Sequence, residues 1–218
     1  MIPTLIIDDF FSDPDKILEF EKTIKYDHST DGRWPGVRTA PLVSVDPEFN
    51  SYFCERLLRN FYTDLNQTEF EMHVGFQKIN PMHEDQYHIK NRGWIHYDLS
   101  SHFGGIVYLN KNPEKDTGTN LYKETTGYYY ARPECLEVKE RFYRGESVSD
   151  DEYAQAFNAL HESFELSVKV EPVYNRLLCF NNTVAHGVET YGKSQTRLTL
   201  AFFGRVAGQV NPPLYRYP

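Results

Sequence analysis

At Phe70 the spacing of apolar residues changes from a helical repeat to strict alternation, and that change sets the class of fold this chain can adopt. Phe70, Met72, Val74 and Phe76 fall on one face of a strand, with Glu71, His73 and Gln77 on the other. Before it, the repeat is helical. Ser12-Asp13-Pro14-Asp15 offers a cap, an early proline and an acidic first turn, and Ile17, Leu18, Phe20 and Ile24 continue an amphipathic helix to about Lys25. Asp46-Pro47 opens a second helix the same way, with Phe49, Tyr52, Phe53, Leu57, Leu58 and Phe61 at helical spacing. Both helices are expected to support a sheet from outside. A strand should precede them within residues 1–9, and a turn-rich loop ending in Trp34-Pro35-Gly36-Val37-Arg38 should separate them.

Beyond the alternating strand, residues 80–92 read as a loop that leads into an extended stretch, Gly93 to Asp98, followed by an apolar strand over Gly104 to Asn110. Asn110 to Gly118 is expected to form a hairpin connection, with Thr119 to Tyr122 starting the return strand. From about 128 to 170 the rhythm reads as a helical insertion, with helices over Pro133–Tyr143 and Ser149–His161, the latter opened by a Ser149-x-x-Glu152 capping box. Strands resume over Arg176–Phe180, Thr183–Val188 and Thr196–Phe203, before a proline-rich tail from Asn211. At 218 residues this is expected to be one mainly β (α+β) domain.

The charge balance narrows the partners. With 23 basic and 31 acidic residues, net −8, the chain lacks the broad positive surface that nucleic acid or an anionic membrane would attract. No stretch reads as a membrane segment or signal peptide. Cys54, Cys135 and Cys179 are odd in number and scattered, which points to buried thiols in a reducing cytoplasm rather than disulfides or a zinc knuckle.

The chemistry lies in a few polar residues set among apolar ones. In an extended segment, His96 and Asp98 project to the same side and form half of a metal site. Two histidines and one carboxylate on one face of an iron leave its other positions open. His186, in the apolar context Val184-Ala185-His186-Gly187-Val188, can complete such a set. Arg197 and Thr199 share a face of the last strand. An inward arginine in an apolar strand needs an anionic partner, and its planar fork suits a carboxylate.

Taken together, His96-x-Asp98, the distal His186 and Arg197-x-Thr199 resemble the signature of the Fe(II)- and 2-oxoglutarate-dependent dioxygenases. The nearest resemblance is to their prolyl hydroxylase-like branch, through Tyr108-Leu109-Asn110-Lys111, Gly118-Thr119 and Arg176 to Phe180 leading to His186. The N-terminal Asp13-Pro14 and Pro35-Gly36-Val37-Arg38 also resemble uncharacterised phage and bacterial oxygenases. The core resemblance spans about residues 94–122 and 174–203. It implies a double-stranded β-helix of the jelly-roll and cupin type. It also implies iron held by His96, Asp98 and His186, and 2-oxoglutarate seated on Arg197 with Tyr108 and Thr199 as further donors. The implied reaction uses dioxygen and converts 2-oxoglutarate to succinate while hydroxylating a substrate, either a small molecule or a protein side chain such as proline. The resemblance carries no information on oligomeric state.

Two other classes fit the same triad: a non-catalytic metal-binding jelly-roll module and a zinc-dependent hydrolase. A retired module has no reason to bury Arg197, and a hydrolase needs a second carboxylate as base, which the sequence near His96 does not supply. Trp94, Tyr97, His102, Arg38 and Tyr128-Tyr129-Tyr130 are candidates for the substrate entrance, each with an equally good reading as packing or surface. His83 and His88 read as loop bystanders.

Overall fold

A computed structural model describes residues 4–62, 64–126 and 132–209 of the chain. Its frame is a seven-stranded sheet facing a three-stranded one. The large sheet is built from β1 (Leu5–Ile7), β2 (Tyr26–His28), β3 (Val37–Thr39), β4 (Thr68–Ile79), β5 (Phe103–Tyr108), β8 (Leu177–Asn181) and β10 (Arg197–Gln209), in the order β1-β8-β5-β10-β4-β3-β2. The small sheet has the order β7-β6-β9, from β6 (Thr119–Glu124), β7 (Phe164–Val168) and β9 (Ala185–Val188). All pairings are antiparallel.

The alternation on the central strands sorts residues between a helix-covered face and an inner face. Val74 and Phe76 of β4, Phe103 and Val107 of β5, Leu177 and Cys179 of β8, and Leu200 and Phe202 of β10 belong to one core cluster with the helical residues Ile17, Phe53, Leu57 and Leu58. Those helices are α1 (Pro14–Glu21) and α3 (Pro47–Leu58). Each is capped by the aspartate before its proline: Asp13 accepts from Lys16 N at 3.3 Å and Asp46 from Phe49 N at 2.9 Å. The opposite face of β5 and β8 carries Ile106, Tyr108, Leu178 and Phe180, which form a second cluster with Leu121 of β6, Val170 and Val184. This face looks toward the small sheet. Gly105 has no side chain because the Phe202 ring and Leu178 O already occupy that space.

Several expectations from the sequence are corrected. The loop before Arg38 contains the paired strands β2 and β3, each of three residues and too short to show a period. A four-residue helix α2 (Leu42–Val45) precedes α3. The segment 110–118 is not a hairpin turn: β5 and β6 lie in different sheets, so this connection crosses from one to the other. Most of the expected insertion is helical, as α4 (Pro133–Tyr143) and α5 (Asp150–His161), but it ends in β7, which pairs with β6. Phe164, Leu166 and Val168 alternate with Glu165 and Ser167, so a weak strand signal was present there. The capping box of α5 is half formed: Ser149 Oγ accepts from Glu152 N at 3.2 Å, while the Glu152 carboxylate pairs with Arg141 at 2.6 Å. Tyr128 to Tyr130 and the tail from Asn211 lie outside the described residues.

Helices α4 and α5 back the segment that leads to His96. Trp94 is buried, its Nε1 donating to Tyr153 OH at 2.9 Å, its ring set edge-on against Tyr153 and Phe157. Ile95 N donates to His161 Nε2 at 3.2 Å. Burial, with the nearby charge of Arg92, pushes the His161 imidazole from its ordinary 6.5 down to about 3. The folded state therefore binds this proton less readily than the unfolded chain. Its stabilising contribution is complete above about pH 6.5 and is lost as pH falls from there toward 3. Urea midpoints taken at neutral pH and at roughly pH 5 should drop less in His161→Gln than in the wild type. An identical drop in the two proteins would show that His161 does not carry the effect.

Among the described residues no helix is long and apolar enough to cross a membrane. The three cysteines are free and buried.

Candidate functional site

His186 sits on β9 and faces into the space between the sheets. The sequence placed His96 and Asp98 on a continuous strand, and this is corrected. His96 forms only an isolated antiparallel bridge to His186, with His96 N to His186 O and His186 N to His96 O both at 3.0 Å, and Gly93 N reaches Val188 O at 2.8 Å. A turn then closes at Asp98, whose carbonyl accepts from Ser101 N at 3.1 Å and from Ser101 Oγ at 2.9 Å. The strand cannot continue through that turn. The bridge nonetheless places His96 opposite His186, and the turn swings the Asp98 carboxylate between them.

One ligand atom from each of His96, Asp98 and His186 lies within 4.8 Å of the others. The His186 Nε2 is 3.3 Å from Asp98 Oδ2, and His96 Nε2 is 3.7 Å from Oδ1. Each imidazole is oriented from behind by its Nδ1–H, which donates to Trp94 O at 2.9 Å for His96 and to Val184 O at 3.0 Å for His186. Since a carbonyl can only accept, both Nδ1 atoms carry a proton and both Nε2 atoms point inward. Phe180 lies against the His186 ring at 4.3 Å. Gly104 leaves room for the carboxylate: a Cβ there would stand 3.2 Å from Asp98 Oδ2.

The electrostatics keep the ligand set ready for a cation. Loss of water on its cavity-facing side, with His186 nearby, lowers His96 to about 4, although its side chain is 49% exposed. Burial raises the Asp98 carboxyl, but its contact with His186, together with the fields of His186, His96 and Arg38, outweighs burial and holds it at about 2. Two imidazoles with Nε2 turned inward and one carboxylate with no proton to lose are a donor set suited to a divalent transition metal.

Arg197, Thr199, Ala201 and Phe203 share one face of β10, and Arg197, Ala201 and Phe203 line the same cavity of about 350 Å³ as the triad. Arg197 is 5% exposed and forms no ion pair within 4.0 Å among the described residues. Its Nε donates to Thr117 O and its Nη2 to Thr119 Oγ1, both at 2.9 Å. Tyr108 lies beneath it, 5.6 Å from ring centre to guanidinium carbon, and its hydroxyl accepts from Thr119 N at 2.8 Å, leaving the phenolic proton to donate. The Thr199 hydroxyl is fully buried and lacks a hydrogen-bond partner among the described residues. Among the described residues, a buried cation without an anion and a buried hydroxyl without a partner thus lie two residues apart on one strand face.

The other candidates separate clearly. Arg38 lines the cavity. Trp94 borders it but is anchored by α5, and Tyr97 packs on Phe164. His102 is turned away, its Nδ1 accepting from Val206 N at 3.1 Å. His83 and His88 stack on each other at 3.7 Å outside the cavity. Sequence reasoning missed Gln77, Lys139, Tyr143 and Tyr191, which also line it. Gln77 was on the correct polar face of its strand, whereas Lys139 and Tyr143 arrive from α4, and nothing local to them signals this.

Comparison with known proteins places this geometry in a fold. The structure is similar to HygX from Streptomyces hygroscopicus, solved with nickel, 2-oxoglutarate and hygromycin B bound: TM-score 0.59, 14% identity, covering 95% of this chain and 83% of that one. It is also similar to a Trichoplax adhaerens prolyl hydroxylase in complex with a hypoxia inducible factor peptide fragment (TM-score 0.54, 12% identity, 93% and 83% covered). A third is SnoN, a non-haem α-ketoglutarate-dependent epimerase from nogalamycin biosynthesis (0.52, 8% identity, 92% and 76% covered). At such identities the likeness is one of fold, and the fold is the double-stranded β-helix of the 2-oxoglutarate oxygenases. A search of the curated proteins finds no match. Residues 2–203 match the model of a family of unknown function, DUF6445, and with nearly the whole chain inside that match the protein belongs to the DUF6445 family.

Proposed function

We propose that this protein is an Fe(II)- and 2-oxoglutarate-dependent oxygenase that hydroxylates a small molecule or a protein side chain. The observation that carries the reading is the buried Arg197, without an ion-pair partner among the described residues, in the same cavity as the His96, Asp98 and His186 cluster. A bare metal module or a zinc hydrolase leaves that charge without purpose. A hydrolase would also need a second carboxylate, and among the described residues Asp98 is the only one lining the cavity.

His96, Asp98 and His186 would hold the iron, and the fit rests on their two inward Nε2 atoms and unprotonated carboxylate. Arg197 would take the distal carboxylate of 2-oxoglutarate, with Tyr108 OH and the unpartnered Thr199 Oγ1 as further donors. Bound together, Fe(II) and 2-oxoglutarate supply oxidation by dioxygen coupled to decarboxylation to succinate. The protein orients and shields. Trp94 and Phe180 exclude water behind the histidines, and the carbonyls of Trp94 and Val184 keep both rings from turning.

Anaerobic addition of Fe(II) and 2-oxoglutarate should produce a visible charge-transfer band, and aerobic incubation should yield succinate; a protein giving neither is not an oxygenase of this class. Arg197→Ala should weaken 2-oxoglutarate binding by about 100-fold or more while leaving metal affinity intact, because the lost contact is a buried charge pair. Equal loss of both affinities would remove Arg197 from the role given to it.

A further inference from the structure

Besides Arg197, the cavity holds three further cationic side chains that the reaction does not use. Arg38, on β3, lies with its guanidinium 4.7 Å over the Trp34 ring and 5.8 Å from that of Phe203. Stacking of this kind fixes the plane of the fork and leaves its N–H edge for acceptors in that plane. The Nε of Arg38 is fully buried and has no hydrogen-bond partner among the described residues. Nor does Arg38 form an ion pair among them. The carboxylate that acts on it is Asp98, beyond ion-pair distance, and burial holds the guanidinium down to about 10 despite that attraction. Lys139, from α4, lines the same cavity and likewise has no ion pair among the described residues. Arg33, also at the cavity, is matched by Asp31 at 3.1 Å.

The charges do not balance without another anion. With the reading above as its basis, 2-oxoglutarate answers Arg197 with its distal carboxylate. Its other carboxylate, together with Asp98, offsets the two charges of the iron. Arg38 and Lys139 are left with no ion-pair partner among the described residues. A partly buried cation with no ion-pair partner carries a desolvation cost that an anionic ligand would offset. This chain carries a net charge of −8, so the concentration of positive charge in one cavity is a local feature and not a property of its surface.

We propose that Arg38, assisted by Lys139, is a substrate-binding group that seats an oxyanion, a carboxylate or a phosphate, of the molecule to be oxidised. The fork would receive that group in the plane set by Trp34, holding the rest of the substrate toward the His96, Asp98 and His186 cluster. The substrate is then an acid, and a neutral or cationic molecule of the same shape is a poor one.

The test uses the full chain loaded with Ni(II) and 2-oxoglutarate, so that the Arg197 seat is filled. Phenylacetate, phenyl phosphate and uncharged phenylacetamide are titrated by calorimetry, with Trp34 fluorescence as a second readout. At least one anion should bind tenfold or more tightly than the amide, and which one does so separates carboxylate from phosphate. In Arg38→Met, which keeps an apolar stem on Trp34, that preference should vanish while affinities for the amide and for 2-oxoglutarate stay within about twofold. Lys139→Met should reduce it in part. Arg38→Gln serves if circular dichroism shows the Met variant unfolded. Equal binding of anions and amide by the wild type, or an anion preference that survives loss of Arg38, overturns the proposal. If the wild type fails to bind 2-oxoglutarate, the oxygenase reading fails, and the dependence of anion preference on Arg38 in the same titration still decides the seat.

Discussion

His186→Ala and Asp98→Ala should each lower Fe(II) affinity by at least about 100-fold and take succinate formation below detection. Altering a group that only orients a metal ligand costs roughly 10- to 100-fold, and removing the ligand itself costs more. The set has three members and no spare: among the described residues it is the only cluster of three metal-ligating side chains. Thermal denaturation separates lost binding from lost folding. In the wild type, Ni(II) with 2-oxoglutarate should raise the melting temperature, since a ligand at about 100 times its Kd adds roughly 2.7 kcal/mol. In either variant that rise should disappear while the metal-free melting curve stays cooperative. A full ligand-induced rise in His186→Ala would place the metal elsewhere.

The largest expected loss of stability is in Phe202→Ala, about 3 to 5 kcal/mol, or roughly 10 °C in melting temperature. Phe202 is fully buried on β10, between β4 and β5, with its ring 5.3 Å from Phe53 of α3 and covering the bare backbone of Gly105. Nothing near it can collapse into the gap cheaply, because its neighbours are the backbone of one strand and the capped helix packed over it. The effect should reach the site as well. Arg197 and Thr199 are carried by the same strand, so a small rise in the Kd for 2-oxoglutarate is expected beside the change in stability. Urea unfolding checks the first effect, and a loss under about 1 kcal/mol would mean that α3 does not clamp the sheet as described.

Much of this was legible because the signals were local. The Asp-Pro pairs at 13–14 and 46–47 announce helices that the structure caps with those aspartates. The alternation from Phe70 to Phe76 identifies the helix-covered face of β4, and the facing residue Gln77 reaches the cavity. Where the signal was short or the partner distant, reading failed. Strands β2 and β3 have three residues each, and the connection after Asn110 looks like a hairpin because turn residues do not reveal to which sheet the next strand belongs. Helices α4 and α5 were recognised as helices, but their place behind Trp94 and Ile95 was not.

By itself the sequence determined the chemical identities that matter: two histidines and an aspartate able to hold a metal, an arginine and threonine on one strand face, and a mainly β chain with supporting helices. Residue type and alternation are local properties, and they survive without coordinates. Only the tertiary structure decided that His96 and His186 meet across a single bridge, with Asp98 brought between them by a turn and not by a strand. Only it decided that, among the described residues, Arg197 has no anion beside it and Thr199 has no hydrogen-bond partner, and that Arg38 and Lys139, from two distant elements, open on the same cavity. Those facts concern what lies near a group once the chain has closed, and burial, pairing and unbalanced charge arise only then.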